Sequence, residues 1–168
     1  WNKARDIAES VRLQVDAPRL PLGIMIEVPS AVMVAEDLAK EVDFFSIGSN
    51  DLTQYTMAID RLHPDLCNEA DSYHPALVRM IEMTVQAAQS HGKWVGVCGN
   101  AAANPNMAKL LVGLGVTELS VSPADAASVK NMIRAVSYRK LQEKATKALQ
   151  LESSEAIMAL YKTNDDLL

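Results

Sequence analysis

Leu22-Gly23-Ile24-Met25-Ile26-Glu27-Val28 is a short apolar run that closes on one carboxylate, and Phe44-Phe45-Ser46-Ile47 repeats the pattern before Gly48-Ser49-Asn50-Asp51. Brief apolar runs bounded by turn residues read as strands, and strands apolar at nearly every position are expected to be covered on both faces. Between the two, Pro29 followed by residues 30–40 predicts a helix. The unit then recurs. Residues 74–91 set Leu77, Ile81, Val85 and Ala88 on one helical face and stop at Gly92, and Trp94-Val95-Gly96-Val97-Cys98 follows as a third strand. Asn104-Pro105 opens a short helix that Gly113 and Gly115 close, residues 117–121 make a fourth strand, and Ser122-Pro123 opens the next helix. Strands alternating with helices are βα units on a parallel sheet, so the fold class is α/β.

Outward from these units, residues 1–15 read as one more helix and Ala17-Pro18-Arg19-Leu20-Pro21 as a turn. The final thirty or so residues, rich in Lys, Glu, Ala and Leu with a Ser153-Ser154-Glu155 start signal, read as one or two terminal helices. The chain begins mid-architecture and without Met, which points to a fragment. Its 168 residues, 49% hydrophobic and 22% charged, are those of a soluble globular protein and are enough for one domain. A formal net charge of −5 argues against nucleic-acid or membrane-surface binding, which needs a cationic face. No run is long and apolar enough for a membrane span or shaped as a signal peptide. Cys67 and Cys98, far apart and outside any CxxC pair, argue against a disulfide framework or a zinc site, and a cytoplasmic location is expected.

In parallel α/β folds the chemistry collects at the carboxyl ends of the strands. Glu27, Asn50, Asp51 and Cys98 all stand at such ends. Two carboxylates on neighbouring strand ends suit Mg²⁺, which prefers oxygen and keeps few protein ligands; each alone reads equally well as a helix cap. Cys98, before Gly99, has a place where a thiol serves as proton donor or nucleophile, although buried structural cysteine is the commoner outcome. Arg61, in a stretch without clear period, is placed to reach an anionic ligand or else lies at the surface. His63, His74 and His91 stand beside Pro or Gly at turns and helix ends, and none reads as a triad member.

Taken together, Gly23-Ile24-Met25-Ile26-Glu27-Val28-Pro29-Ser30, the run from Phe44 to Tyr55, Asp60-Arg61 and Val97-Cys98-Gly99 resemble Enzyme I. That family is the phosphoenolpyruvate-protein phosphotransferase of the bacterial sugar phosphotransferase system, and the likeness runs from about Gly23 to the terminal helices. It implies that the chain is the C-terminal portion of the phosphoenolpyruvate (PEP)-binding domain, roughly half of a (βα)8 TIM barrel. By the same resemblance Glu27 and Asp51 are Mg²⁺ ligands, Asn50, Asp51 and Arg61 hold PEP, and Cys98 protonates the pyruvate enolate. The family passes the phosphoryl group to a histidine on a separate domain and from there to a phosphocarrier protein, and it dimerises through this domain. The acceptor histidine is expected outside this chain, so the isolated 168 residues are expected to be inactive in phosphotransfer.

The resemblance has departures. The family usually continues Cys-Gly with Glu and has an acidic residue before the following proline, where this chain has Asn100 and Asn104, and Ser49 stands where Thr is more usual. An Enzyme I-like module of a multiphosphoryl transfer protein fits these departures. Pyruvate phosphate dikinase and PEP synthase share the Glu27, Asn50-Asp51 and Cys98 contexts, while Ser30 and Asp60-Arg61 favour Enzyme I. A third alternative is a binding or dimerisation module without turnover.

Overall fold

The computed structural model describes residues 1–60, 62–66, 70–163 and 165–168. Helix α1 (Asn2–Gln14) precedes strand β1 (Gly23–Ile26), and α2 (Pro29–Met33) and α3 (Ala35–Ala39) lead to β2 (Phe44–Gly48). Next come α4 (Ser49–Met57), α5 (Pro75–Ser90), β3 (Trp94–Cys98), α6 (Asn100–Ala103), α7 (Pro105–Leu114) and β4 (Glu118–Ser120). Helices α8 (Pro123–Ala135), α9 (Tyr138–Ala148) and α10 (Ser154–Tyr161) complete the chain.

The four strands lie in the order β1-β2-β3-β4, and every pair is parallel. Ile26, Ile47, Val97 and Leu119 form one row across the sheet. The first three are fully buried, and α4, α5 and α6 pack on this side. The alternate positions behave differently: Met25 and Trp94 keep 48% and 39% of their surface exposed. The row of Met25 continues through Ser46 and Gly96 to the exposed Glu118, and Trp94 lies on the same face one row nearer the amino ends. The strands are thus buried on one face only, where the composition had predicted two. Apolar content alone cannot separate a face that packs on helices from one that carries Met, Trp and Phe into a less filled space. Phe44 and Trp94, paired in register, stack at 4.2 Å and close the amino ends of β2 and β3.

The helix expected over residues 30–40 is two short ones. Val34 leaves helical geometry at φ −114°, ψ 17°, and its carbonyl accepts from Asp37 and Leu38 to start α3. A β-branched residue has little helical preference to resist the bend, which lets both pieces pack on α5. Gly48-Ser49-Asn50-Asp51, expected as loop, is the end of β2 and the first turn of α4. At the carboxyl end of the chain, α7 packs on α9, and the last residues return to bridge Val136 with Leu167.

Candidate functional site

Side-chain parity places Glu27, Gly48 and Cys98 at the top of the open face: Glu27 follows Met25, Gly48 follows Ser46, and Cys98 follows Gly96. Glu27 is half-buried, and its carboxylate lies directly over Gly48. A Cβ on Gly48 would meet Glu27 Oε1 at 2.6 Å and its Cγ at 2.7 Å, so only glycine leaves the carboxylate this position. Asp51 stands in the first turn of α4, also half-buried, where the helix dipole favours a negative charge.

The turns that leave β2 and β3 are locked together. The Ser49 hydroxyl donates to the Cys98 carbonyl at 2.6 Å, the Asn100 N–H donates to Asn50 Oδ1 at 3.1 Å, and the Cys98 thiol donates to the Ile47 carbonyl at 3.6 Å. Between them Gly99 takes φ +91°, ψ −169°, a conformation reserved for glycine, and a Cβ there would meet Ser49 Oγ at 2.6 Å and Asn50 Oδ1 at 2.9 Å. Asn50 and Cys98 are therefore brought to one place by contacts roughly fifty positions apart in sequence. One ring further out, Asn104 caps α7 by accepting from the N–H groups of Asn106 and Met107 at 3.0 and 3.1 Å, and the Tyr73 hydroxyl donates to the same oxygen at 3.3 Å. Burial and the charge of Asp71 push the Tyr73 hydroxyl up to about 12, so it remains a donor at neutral pH.

Arg61 and Cys67 lie outside the described residues. Beside Arg61, the Leu62 N–H donates to Asp60 Oδ1 at 2.9 Å. The histidines serve local structure. His74 Nδ1 caps α5 by accepting from Ala76 N–H, His63 Nδ1 accepts from Asp65 N–H, and His91 Nε2 is 2.7 Å from Glu36. Hydrogen bonds from His91 and then Ser90 hold the Glu36 carboxyl below its usual range.

Among the described residues no group of three or more His, Cys, Asp or Glu is gathered as a metal cage. Glu27 and Asp51 offer oxygen donors only, and the absence of a side chain at Gly48 leaves the Glu27 carboxylate its place there. That set fits Mg²⁺, which takes one or two carboxylates and fills its octahedron with water or substrate oxygen. Ser49, Gly48, Gly99 and the Tyr73–Asn104 contact were not singled out by the sequence as parts of the site. Ser-Asn-Asp ahead of Leu52 is a helix-start pattern that would have flagged the first of these.

Comparisons with known proteins identify the family of the chain. Residues 1–138 match the family model for the PEP-utilising enzyme, PEP-binding domain. The chain is 53% identical over 156 residues to the multiphosphoryl transfer protein of Xanthomonas campestris pv. campestris, covering 93% of this chain and 19% of that protein. It is 40% identical over 161 residues to the phosphoenolpyruvate-protein phosphotransferase of Lactococcus lactis subsp. lactis, covering 95% of this chain and 28% of that one. The chain thus spans 19% and 28% of the length of these relatives. Among solved structures, a citrate lyase from Burkholderia xenovorans LB400 superposes with a TM-score of 0.56 at 17% identity, over 92% of this chain and 55% of that chain. At that identity it supports the α/β fold alone. No helix among the described residues is long and apolar enough to cross a membrane. With more than four-fifths of its length matched and relatives of 40% and 53% identity, this chain belongs to the PEP-utilising enzyme, PEP-binding domain family.

Proposed function

We propose that the chain is the C-terminal portion of the PEP-binding domain of a PEP-dependent protein phosphotransferase of the sugar phosphotransferase system. The observation that carries this reading is the meeting of Glu27, Asn50 and Cys98 at the carboxyl ends of three adjacent parallel strands, held by the Gly48 and Gly99 contacts. The consecutive, all-parallel order β1-β2-β3-β4 supports reading the sheet as an arc of a barrel, because a doubly wound sheet reverses its order at a switch point. In the proposed (βα)8 barrel the face carrying Met25, Ser46, Gly96 and Glu118 points inward, and further strands continue the sheet.

In this reading Glu27 and Asp51 hold Mg²⁺, which supplies positive charge for the oxygens of PEP and of the enolate it leaves. Asn50 has its carbonyl oxygen engaged by the Asn100 N–H, so its NH₂ group remains to donate to a phosphate or carboxylate oxygen. Arg61 is assigned to the same anion as a bidentate partner. The phosphoryl group passes to a histidine on a domain outside this chain, and then to a phosphocarrier protein. Cys98 delivers a proton to the methylene carbon of the enolate, giving pyruvate. The isolated chain, lacking that histidine, is inactive by itself; the whole protein acts in the cytoplasm as a homodimer.

The test is titration of the full-length protein with Mg²⁺ and oxalate, an analogue of the enolate. Glu27→Gln and Asp51→Asn are each expected to weaken Mg²⁺-dependent oxalate binding by at least about tenfold. Unaltered binding in both would reject the ligand assignment.

A further inference from the structure

We propose that Ser49 is a positioning residue for the Cys98 thiol, a role that rests on the reading of Cys98 as proton donor. Ser49 is 1% exposed, and its hydroxyl reaches across from α4 to donate to the Cys98 carbonyl at 2.6 Å. The same strand end receives the thiol, since Cys98 Sγ donates to the Ile47 carbonyl. Residue 98 is therefore gripped at two points by the segment 47–49: its side chain by one carbonyl and its own carbonyl by one hydroxyl.

The grip falls where the ladder no longer supplies it. Gly48 and Cys98 are the last register pair of β2 and β3, and at Gly99 the backbone turns through φ +91° into α6. Beyond that pair the direction of the 98–99 peptide is set by what its carbonyl accepts. Sγ is one rotatable bond from the same Cα, so the peptide direction fixes the arc on which the thiol lies. Ser49 is itself well anchored: the Thr53 hydroxyl donates to its carbonyl at 2.7 Å, and its Oγ fills the space that a Cβ on Gly99 would claim, at 2.6 Å. Proton delivery to carbon requires the S–H to face one side of the planar enolate at close range. In that step the S–H bond breaks, the enolate π pair forms the new C–H bond, and the thiolate left behind regains a proton from solvent.

The experiment uses the full-length protein, Mg²⁺ and (Z)-2-phosphoenolbutyrate in D₂O, whose product carries deuterium at a carbon that becomes a stereocentre. Wild-type protein is expected to give one configuration. Ser49→Ala is expected to slow product formation about tenfold or more and to erode the enantiomeric ratio, with phosphoryl transfer to the histidine and oxalate binding unchanged. Ser49→Thr keeps the hydroxyl and is expected to keep both rate and ratio, which also covers a poorly folding alanine variant. Retention of the ratio in Ser49→Ala, or its loss in Ser49→Thr, overturns the proposal. So does a parallel loss of oxalate binding in Ser49→Ala, which marks a collapsed site. Cys98→Ser separates the two levels. If it erodes the ratio while Ser49→Ala does not, only the role of Ser49 falls; if it keeps the ratio, the reading of Cys98 falls and the role of Ser49 with it.

Discussion

Asp166 Oδ2 lies 2.8 Å from Lys109 Nζ, and the two side chains are 0% and 9% exposed, so the end of the chain is joined to α7 by an ion pair shut away from water. Lys144 of α9 completes the cluster, 3.3 Å from Asp166 Oδ1 and 3.0 Å from the Thr163 hydroxyl, with its ammonium 5.6 Å over the Tyr161 ring. The surrounding backbone is tied as well: Ser137 N–H donates to the Asp166 carbonyl and Leu168 N–H to that of Ala135. Removing one member of a buried ionic cluster leaves the others uncompensated. Asp166→Ala is therefore expected to cost about 3 kcal/mol, read as a lower urea midpoint. An unmoved midpoint would mean that burial of the charges cancels their attraction.

The same cluster sets an acid limit. Lys144, then Thr163, lowers the Asp165 carboxyl to about 2. For Asp166, burial pushes the carboxyl up, and Lys109, its own backbone N–H and Lys144 together bring it below the usual range. Both values are depressed on folding, so the stability these groups contribute is present above the ordinary carboxylate range and lost as pH falls through the folded values. The tail should hold from neutral pH down to about 4 and loosen between about 4 and 2. Hydrogen exchange at Ser137 and Leu168, corrected for the intrinsic pH dependence, checks this; equal protection at pH 6 and pH 3 would contradict it.

Gly48 and Gly99 should respond differently to the same added methyl. At Gly48 the backbone is at φ −80°, open to any residue, and the obstructing atoms belong to the flexible Glu27 side chain. Gly48→Ala is expected to change stability by less than about 1 kcal/mol while displacing the Glu27 carboxylate and weakening Mg²⁺-dependent oxalate binding. Gly99→Ala must enter a strained region against Ser49 and is expected to cost about 2 kcal/mol or more in stability. Thermal unfolding alongside oxalate titration of both variants checks the contrast, and equal stability loss would refute it.

Asn104 is a cap with an added donor. Asn104→Ala removes the acceptor for Asn106, Met107 and Tyr73 at once and should cost about 1–2 kcal/mol. Asn104→Asp keeps every acceptor and adds charge at the start of α7, so it should be neutral or stabilise by about 0.5 kcal/mol. Chemical denaturation of the two variants decides. A destabilising aspartate would mean that the loss of negative charge here is itself part of how this chain folds.

Much of the architecture was legible because its signals are local. The four strands, the long helix ending at Gly92 and the Asn104-Pro105 start each depend on a period or a cap within a few residues, and the structure has them where the sequence placed them. The break at Val34 has no local signal because packing on α5 decides it, and residues 49–51 resemble a loop in sequence because they are polar and follow a strand, although they form the first turn of α4. At the site, residue type and strand-end position picked out Glu27, Asn50, Asp51 and Cys98. Arg61 lies outside the described residues, so its placement stays with the sequence.

By itself, then, the amino-acid sequence determined the succession of βα units and the set of chemically able side chains at their carboxyl ends, since strand period, helix caps and turn residues act over short distances. Only the tertiary structure decided which face of the sheet is left open, that Gly48 makes room for Glu27, that Ser49 holds Cys98, and that Asp166 closes between Lys109 and Lys144. Those contacts join residues 21 to 57 positions apart, and no local pattern encodes them because each exists only once the parallel register and the α7–α9 packing have set its partners in place.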